Sequence, residues 1–130
     1  MNPPPLATSK QRQLAGGMLD IPIVHSFYEC YALWHKLTLK FPKSERYILA
    51  HRCATGILDA LEMTLLAAAS SDRAKKIQCL RETNIKLDLV RLLVRLGKDC
   101  KCLSNESYLA MESKLHETGK MLGGWIKSLT

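Results

Sequence analysis

The chain has 130 residues, 47 % of them apolar, enough for one domain that buries roughly two thirds of its unfolded surface. No run of about 18 apolar residues would cross a membrane as a helix, and no charged n-region followed by an apolar h-region marks a secretory signal. Five cysteines, an odd number without framework spacing, argue against a disulfide-built secreted domain and for a reducing cytoplasm.

Residues 1–20 contain Pro3-Pro4-Pro5, Gly16-Gly17 and scattered polar residues without sustained periodicity, and read as a flexible tail. Residues 21–130 read as one bundle. Asp20 is the expected N-cap of the first helix, with Pro22 tolerated in its first turn. Val24, Phe27, Tyr31, Trp34, Thr38 and Phe41 recur at spacings of three and four, one face of a helix that Phe41-Pro42 ends. Ser44 is the expected cap of the second helix, with a buried stripe of Tyr47, Ala50, Ala54, Ile57, Leu58, Leu61 and Leu65. Arg52, Thr55, Asp59 and Glu62 take its opposite face.

Ser70-Ser71-Asp72 breaks and re-caps the chain, and a third helix runs from about Asp72 to Cys100. Lys101 to Leu103 connect it to a fourth helix capped by Ser104. There Tyr108, Met111, Leu115, Thr118, Leu122, Trp125 and Leu129 form a coiled-coil-like seam with Thr118 as its one polar member. Four long helices joined by short connections predict an all-α, up-down-up-down antiparallel four-helix bundle. No segment has strand-like alternation.

The positive charge is uneven. Of a formal net +7, residues 71–103 carry +5, with nine Lys/Arg and four Asp/Glu, whereas 41–70 and 104–130 are each balanced. A localised basic stripe is the footprint of a polyanion binder, or else a solvated face that keeps the chain soluble. On a helical wheel, Arg81, Asn84, Asp88, Arg91, Arg95 and Lys98 share an arc of about 100°. Ile85, Leu87, Leu89, Val90, Leu92, Leu93, Val94 and Leu96 fill most of the rest, more than one buried stripe requires. The surplus apolar area is taken up by the core if this helix is central, or by an interface between copies of the chain. The third helix has no aromatic residue, so phosphate contacts or shape recognition of RNA are expected there rather than base stacking.

Catalytic and cofactor motifs are missing. No glutamate is followed three residues later by histidine, and His116-Glu117 is not continued as a zinc-protease motif. Phosphate-loop, dinucleotide and nucleophile-elbow glycine patterns are absent. Cys100-x-Cys102 is too short for zinc-finger spacing. His25, His35, His51 and His116 stand singly, so neither catalytic residues, metal ligands nor a cofactor are expected. An enzymatic reading would rest on His51 or Cys53. Gly119-x-x-x-Gly123 and Gly124 predict a close backbone approach, within the bundle or across an interface.

Three blocks then carry a resemblance: Phe41-Pro42-Lys43-Ser44-Glu45-Arg46-Tyr47, Val90-Arg91-Leu92-Leu93-Val94-Arg95-Leu96, and Gly119-Lys120-Met121-Leu122-Gly123-Gly124-Trp125-Ile126. Together they resemble a family of small bacterial four-helix-bundle proteins. Its branches are the accessory variability determinant (Avd) of diversity-generating retroelements and the proteins of 23S ribosomal RNA intervening sequences; the blocks are common to both. The Avd resemblance implies a non-enzymatic, barrel-shaped homopentamer. It implies binding to nucleic acid, as RNA or DNA, and to a reverse transcriptase during mutagenic copying of a template RNA. The intervening-sequence branch implies an RNA-binding or structural bundle without a polymerase partner. Arg91 and Arg95 match the family's paired arginines and are the first candidates for polyanion contact, joined by Arg81 and Lys98 through their wheel positions. No membrane partner is implied.

Overall fold

A computed structural model describes residues 17–130, and these form an antiparallel four-helix bundle with no strand among them. Of the segment read as a tail, residues 1–16 lie outside the described residues. Gly17–Asp20 form one 3₁₀ turn, with Gly17 buried. The long helices are α1 (Pro22–Thr38), α2 (His51–Ala69), α3 (Arg73–Asp99) and α4 (Asn105–Leu129). An α-turn (Lys43–Glu45) and a π-turn (Arg46–Ala50) lead into α2. Each helix packs on its neighbours in sequence, and α1 closes the ring against α4.

The seams read from the sequence are the core of α1 and α4. Val24, Phe27, Trp34 and Phe41 are buried, with Tyr31 and Thr38 half-buried at the rim. Trp34 meets the Phe41 ring edge-on at 5.5 Å and donates its indole N–H to the Ala50 carbonyl at 3.0 Å. This buries two large rings while leaving the Trp34 donor satisfied. In α4 all but Tyr108 of the seven seam residues are buried. Thr118 is tolerated there because every polar atom around it has a partner. Its hydroxyl donates to the Lys114 carbonyl at 2.9 Å and so accepts from Ser26 at 2.5 Å, with the Cys30 thiol at 3.3 Å.

The second helix departs from its expected register. Tyr47, placed in the buried stripe, is 84 % exposed, and Leu58 is exposed as well. The π-turn supplies the reason for Tyr47. Its wider turn swings Tyr47 outward while Leu49 joins the expected Ala50 in the core, and within α2 the buried face runs through Cys53, Ile57, Ala60 and Thr64, one residue before the expected stripe. Two expected caps also move. Ile21, not Asp20, occupies the N-cap position of α1, without a side-chain bond. Pro42 precedes the Lys43 turn, placing Ser44 inside it.

The remaining caps follow the sequence. Asp72 accepts from the backbone N–H groups of Ala74 and Lys75, and Ser104 accepts from that of Ser107. The α3–α4 connection is a Schellman turn: Cys102 N–H donates to Gly97 O at 2.8 Å and Lys101 N–H to Lys98 O at 3.0 Å. Lys101 holds the left-handed position with φ 64°, where glycine is the usual occupant.

The close helix approach occurs at Gly56. A Cβ there would meet the Val90 side chain at 2.8 Å, so glycine is what lets α2 lie against α3. Gly123 and Gly124 have open space where a Cβ would stand, and a Cβ on Gly119 would reach only van der Waals contact with Leu87. Within the bundle, the expected role of the α4 glycines therefore passes to Gly56.

Candidate nucleic-acid interface

The outward face of α3 divides lengthwise. Leu80, Thr83, Leu87, Val90 and Val94 point into the core. Opposite them, Ile85, Leu89, Leu92 and Leu96 are exposed at spacings of four, three and four, a stripe about 16 Å long at 1.5 Å per residue. Ile85 and Leu92 are 69 % and 67 % exposed, so the core does not absorb the surplus apolar area of this helix. Arg81, Asn84, Asp88 and Arg95 run beside the stripe and are exposed too.

The four cations singled out on this helix differ in what holds them. Arg91 is half-buried, and its guanidinium donates twice to Glu112 Oε1 on α4, at 3.0 and 2.6 Å. It braces α3 against α4, and its charge is largely matched in place. Arg95 pairs with Asp99 one turn on at 3.3 Å, and that hydrogen bond is the main cause holding its pKa above the ordinary arginine value. Lys98 lies over the Tyr108 ring, 4.7 Å from its centre. Arg81 makes no ion pair among the described residues. The structure thus leaves Arg81 and Arg95 exposed, half-buries Lys98 against Tyr108 and gives Arg91 a partner on α4.

A second basic cluster straddles the end of α1 and the start of the segment 41–70, whose overall charge balance conceals it. Residues 36–52 carry five Lys/Arg against one Asp/Glu. A window of about 17 residues slid along the chain would have found it. The fold adds to it, since Lys36 and Lys40 line a cavity with Cys102, Leu103, Ser104 and Ser107 of the α3–α4 connection. Lys36, Lys40, Lys43, Arg46 and Lys101 therefore gather at one end of the bundle, and none makes an ion pair among the described residues.

The chain's thiols are set for packing. Burial pushes the Cys53 thiol up to about 12, and it raises Cys30 and Cys102 as well. At neutral pH these three sulfurs are protonated, and a protonated thiol is a poor nucleophile. His51 is exposed on the first turn of α2. Among the described residues, no group of three or more His, Cys, Asp or Glu side chains is placed to hold a metal ion. Nor, among the described residues, is any helix long and apolar enough to cross a membrane.

Comparison with known families decides the kinship. The family described as bAvd-like matches residues 23–129, which is α1 through α4. The chain belongs to the bAvd-like family. No curated protein matches it. The match extends over the π-turn, the divided face of α3 and the glycine-bearing end of α4, so the whole bundle of this bAvd-like chain is the family's unit.

Proposed function

We propose that this bAvd-like chain is an accessory subunit of a diversity-generating retroelement. In this reading it is a basic homo-oligomer that binds the template RNA and the reverse transcriptase, and the polymerase performs the chemistry of mutagenic copying. The observation that carries it is the divided face of α3 in a chain of this family. Exposed leucines in a regular stripe lose water contact when a second copy covers them, and burial of each is worth roughly 1.5–3 kcal/mol. Arg81 and Arg95 beside the stripe then repeat on every subunit around a ring, so phosphate contacts add and counterion release multiplies. The fivefold count comes from the resemblance to Avd. The family match favours this branch over the ribosomal intervening-sequence type.

Two measurements on one preparation test the proposal. RNA affinity measured from 50 to 300 mM salt is expected to fall steeply, and Arg81→Glu with Arg95→Glu is expected to lower both affinity and slope. Each lost phosphate contact flattens the log–log slope by about 0.7 on a single strand, and by somewhat more on a duplex. Co-expression with the reverse transcriptase of the same retroelement should yield a complex that survives gel filtration. Salt-independent or negligible RNA binding, with no such complex, would remove the accessory role.

A further inference from the structure

The cleft between the end of α1 and the π-turn differs in chemistry from α3. It is an open cavity of about 290 Å³, with Tyr31, His35, Arg46, Tyr47 and His51 around Trp34. Tyr31 and His35 lie nearly parallel, 18° between ring planes and 6.4 Å between centres. Tyr47 is almost wholly in water because the π-turn turns it away from the core. Such turns occur often at functional positions, and this one places an aromatic ring where packing gives no reason for it.

Arg46 closes the cleft on the loop side. Its Nε donates to Phe41 O at 3.1 Å and its Nη2 to Leu39 O at 3.0 Å. Both acceptors are neutral carbonyls, so the guanidinium is fixed in position while its charge is uncompensated. Lys36 and Lys43 are exposed on the same end of the bundle. Aromatic faces around the rim with one fixed cation, Arg46, among them are complementary to one chemical unit: a flat base attached to a phosphate.

We infer that this cleft is a binding site for an unpaired nucleobase of single-stranded RNA, with the base stacked on Tyr47 beside the Tyr31–His35 pair and the adjoining phosphate on Arg46. The cavity has room for one base and none for a duplex, whose bases are hidden within the stack. The inference rests on the nucleic-acid reading above and deepens it. Duplex and folded RNA engage the bundle through phosphates alone, whereas an unpaired segment gains an additional, ring-dependent hold at this end.

The test compares a single-stranded oligonucleotide with an RNA duplex of equal length, using wild type, Tyr47→Ala and Tyr47→Phe. Tyr47 packs against little, so its removal leaves the fold intact. Tyr47→Ala is expected to weaken single-strand binding by about 5- to 150-fold, the span of one aromatic–base stack, and to leave duplex binding unchanged. Tyr47→Phe, which keeps the ring, should bind like wild type. A single-stranded RNA carrying 5-iodouridine should cross-link under light to a peptide containing Tyr31 or Tyr47. Unchanged single-strand affinity in Tyr47→Ala, with both RNAs still bound, would overturn the cleft site and leave the polyanion reading standing. No binding of either RNA by wild type would overturn both. A change in assembly mass on Tyr47→Ala would make the cleft a subunit contact and overturn the base site.

Discussion

Single residues in this bundle divide by whether an extra atom has somewhere to go. A Cβ on Gly56 would meet Val90 at 2.8 Å, and valine is stiff about χ1, so relief must come from moving α2 or α3. Gly56→Ala is expected to destabilise by about 1–2 kcal/mol, overpacking outweighing the gain in helix propensity. Gly124→Ala meets open space and should instead stabilise by up to about 1 kcal/mol. Urea unfolding of both variants checks the contrast.

Cys53 gives the residue scale its pH dependence. Its folded-state pKa is raised, so its contribution is fully present below the ordinary thiol value of 9.0 and is lost as pH climbs toward about 12. Thiol labelling at neutral pH should modify exposed Cys100 at once and Cys53 only at the rate of global unfolding. Rapid labelling of Cys53 in the folded protein would contradict its burial.

At the scale of elements, helix ends and helix faces follow different rules. The ends of α3 and α4 are local devices. Asp72 and Ser104 satisfy nearby N–H groups, and the Schellman turn satisfies the carbonyls of Gly97 and Lys98. Lys101 holds its place in that turn against the preference of its own Cβ. Lys101→Gly should therefore raise stability by about 1 kcal/mol while Lys101→Ala changes little, read from the urea midpoint. Faces are not local. The π-turn offsets Tyr47 from the α2 face, whereas Leu58 lies outside the core because the buried face of α2 runs through Cys53, Ile57, Ala60 and Thr64, one residue before the expected stripe.

Ion pairs between elements show the same dependence. Lys114 on α4 bonds Glu29 on α1 at 2.7 Å. That hydrogen bond is the main cause holding the Glu29 carboxyl below the usual carboxylate range. Burial alone would lower Lys114, but its bond to Glu29 and the charges of Glu117 and Glu29 carry it upward.

For the whole molecule the question is what covers α3. The stripe of Ile85, Leu89, Leu92 and Leu96 has the spacing of a helix–helix seam but faces away from its own bundle. Leu92→Glu with Leu96→Glu removes no core contact, so the fold should persist. If copies assemble through this face, light scattering at micromolar concentration should show the mass fall to that of the single chain. An unchanged multiple would place the interface elsewhere, and a wild-type mass of one chain would remove the assembly.

The helical periodicity of α1 and α4, the caps at Asp72 and Ser104 and the uneven charge were legible in the chain itself, because each depends on residues within a turn or two of one another. The all-α bundle follows from them, and the three blocks resembling Avd agree with the family match over residues 23–129. Other features needed the tertiary structure. Glu112 neutralises Arg91 from 21 positions away, Val90 makes Gly56 necessary, and the α3–α4 connection brings Cys102 to Ser104 beside Lys36 and Lys40. These depend on which helix faces meet through space. A wheel drawn for one helix places charges on a face, but the neighbouring helix decides which of them remain unmatched and able to meet a phosphate.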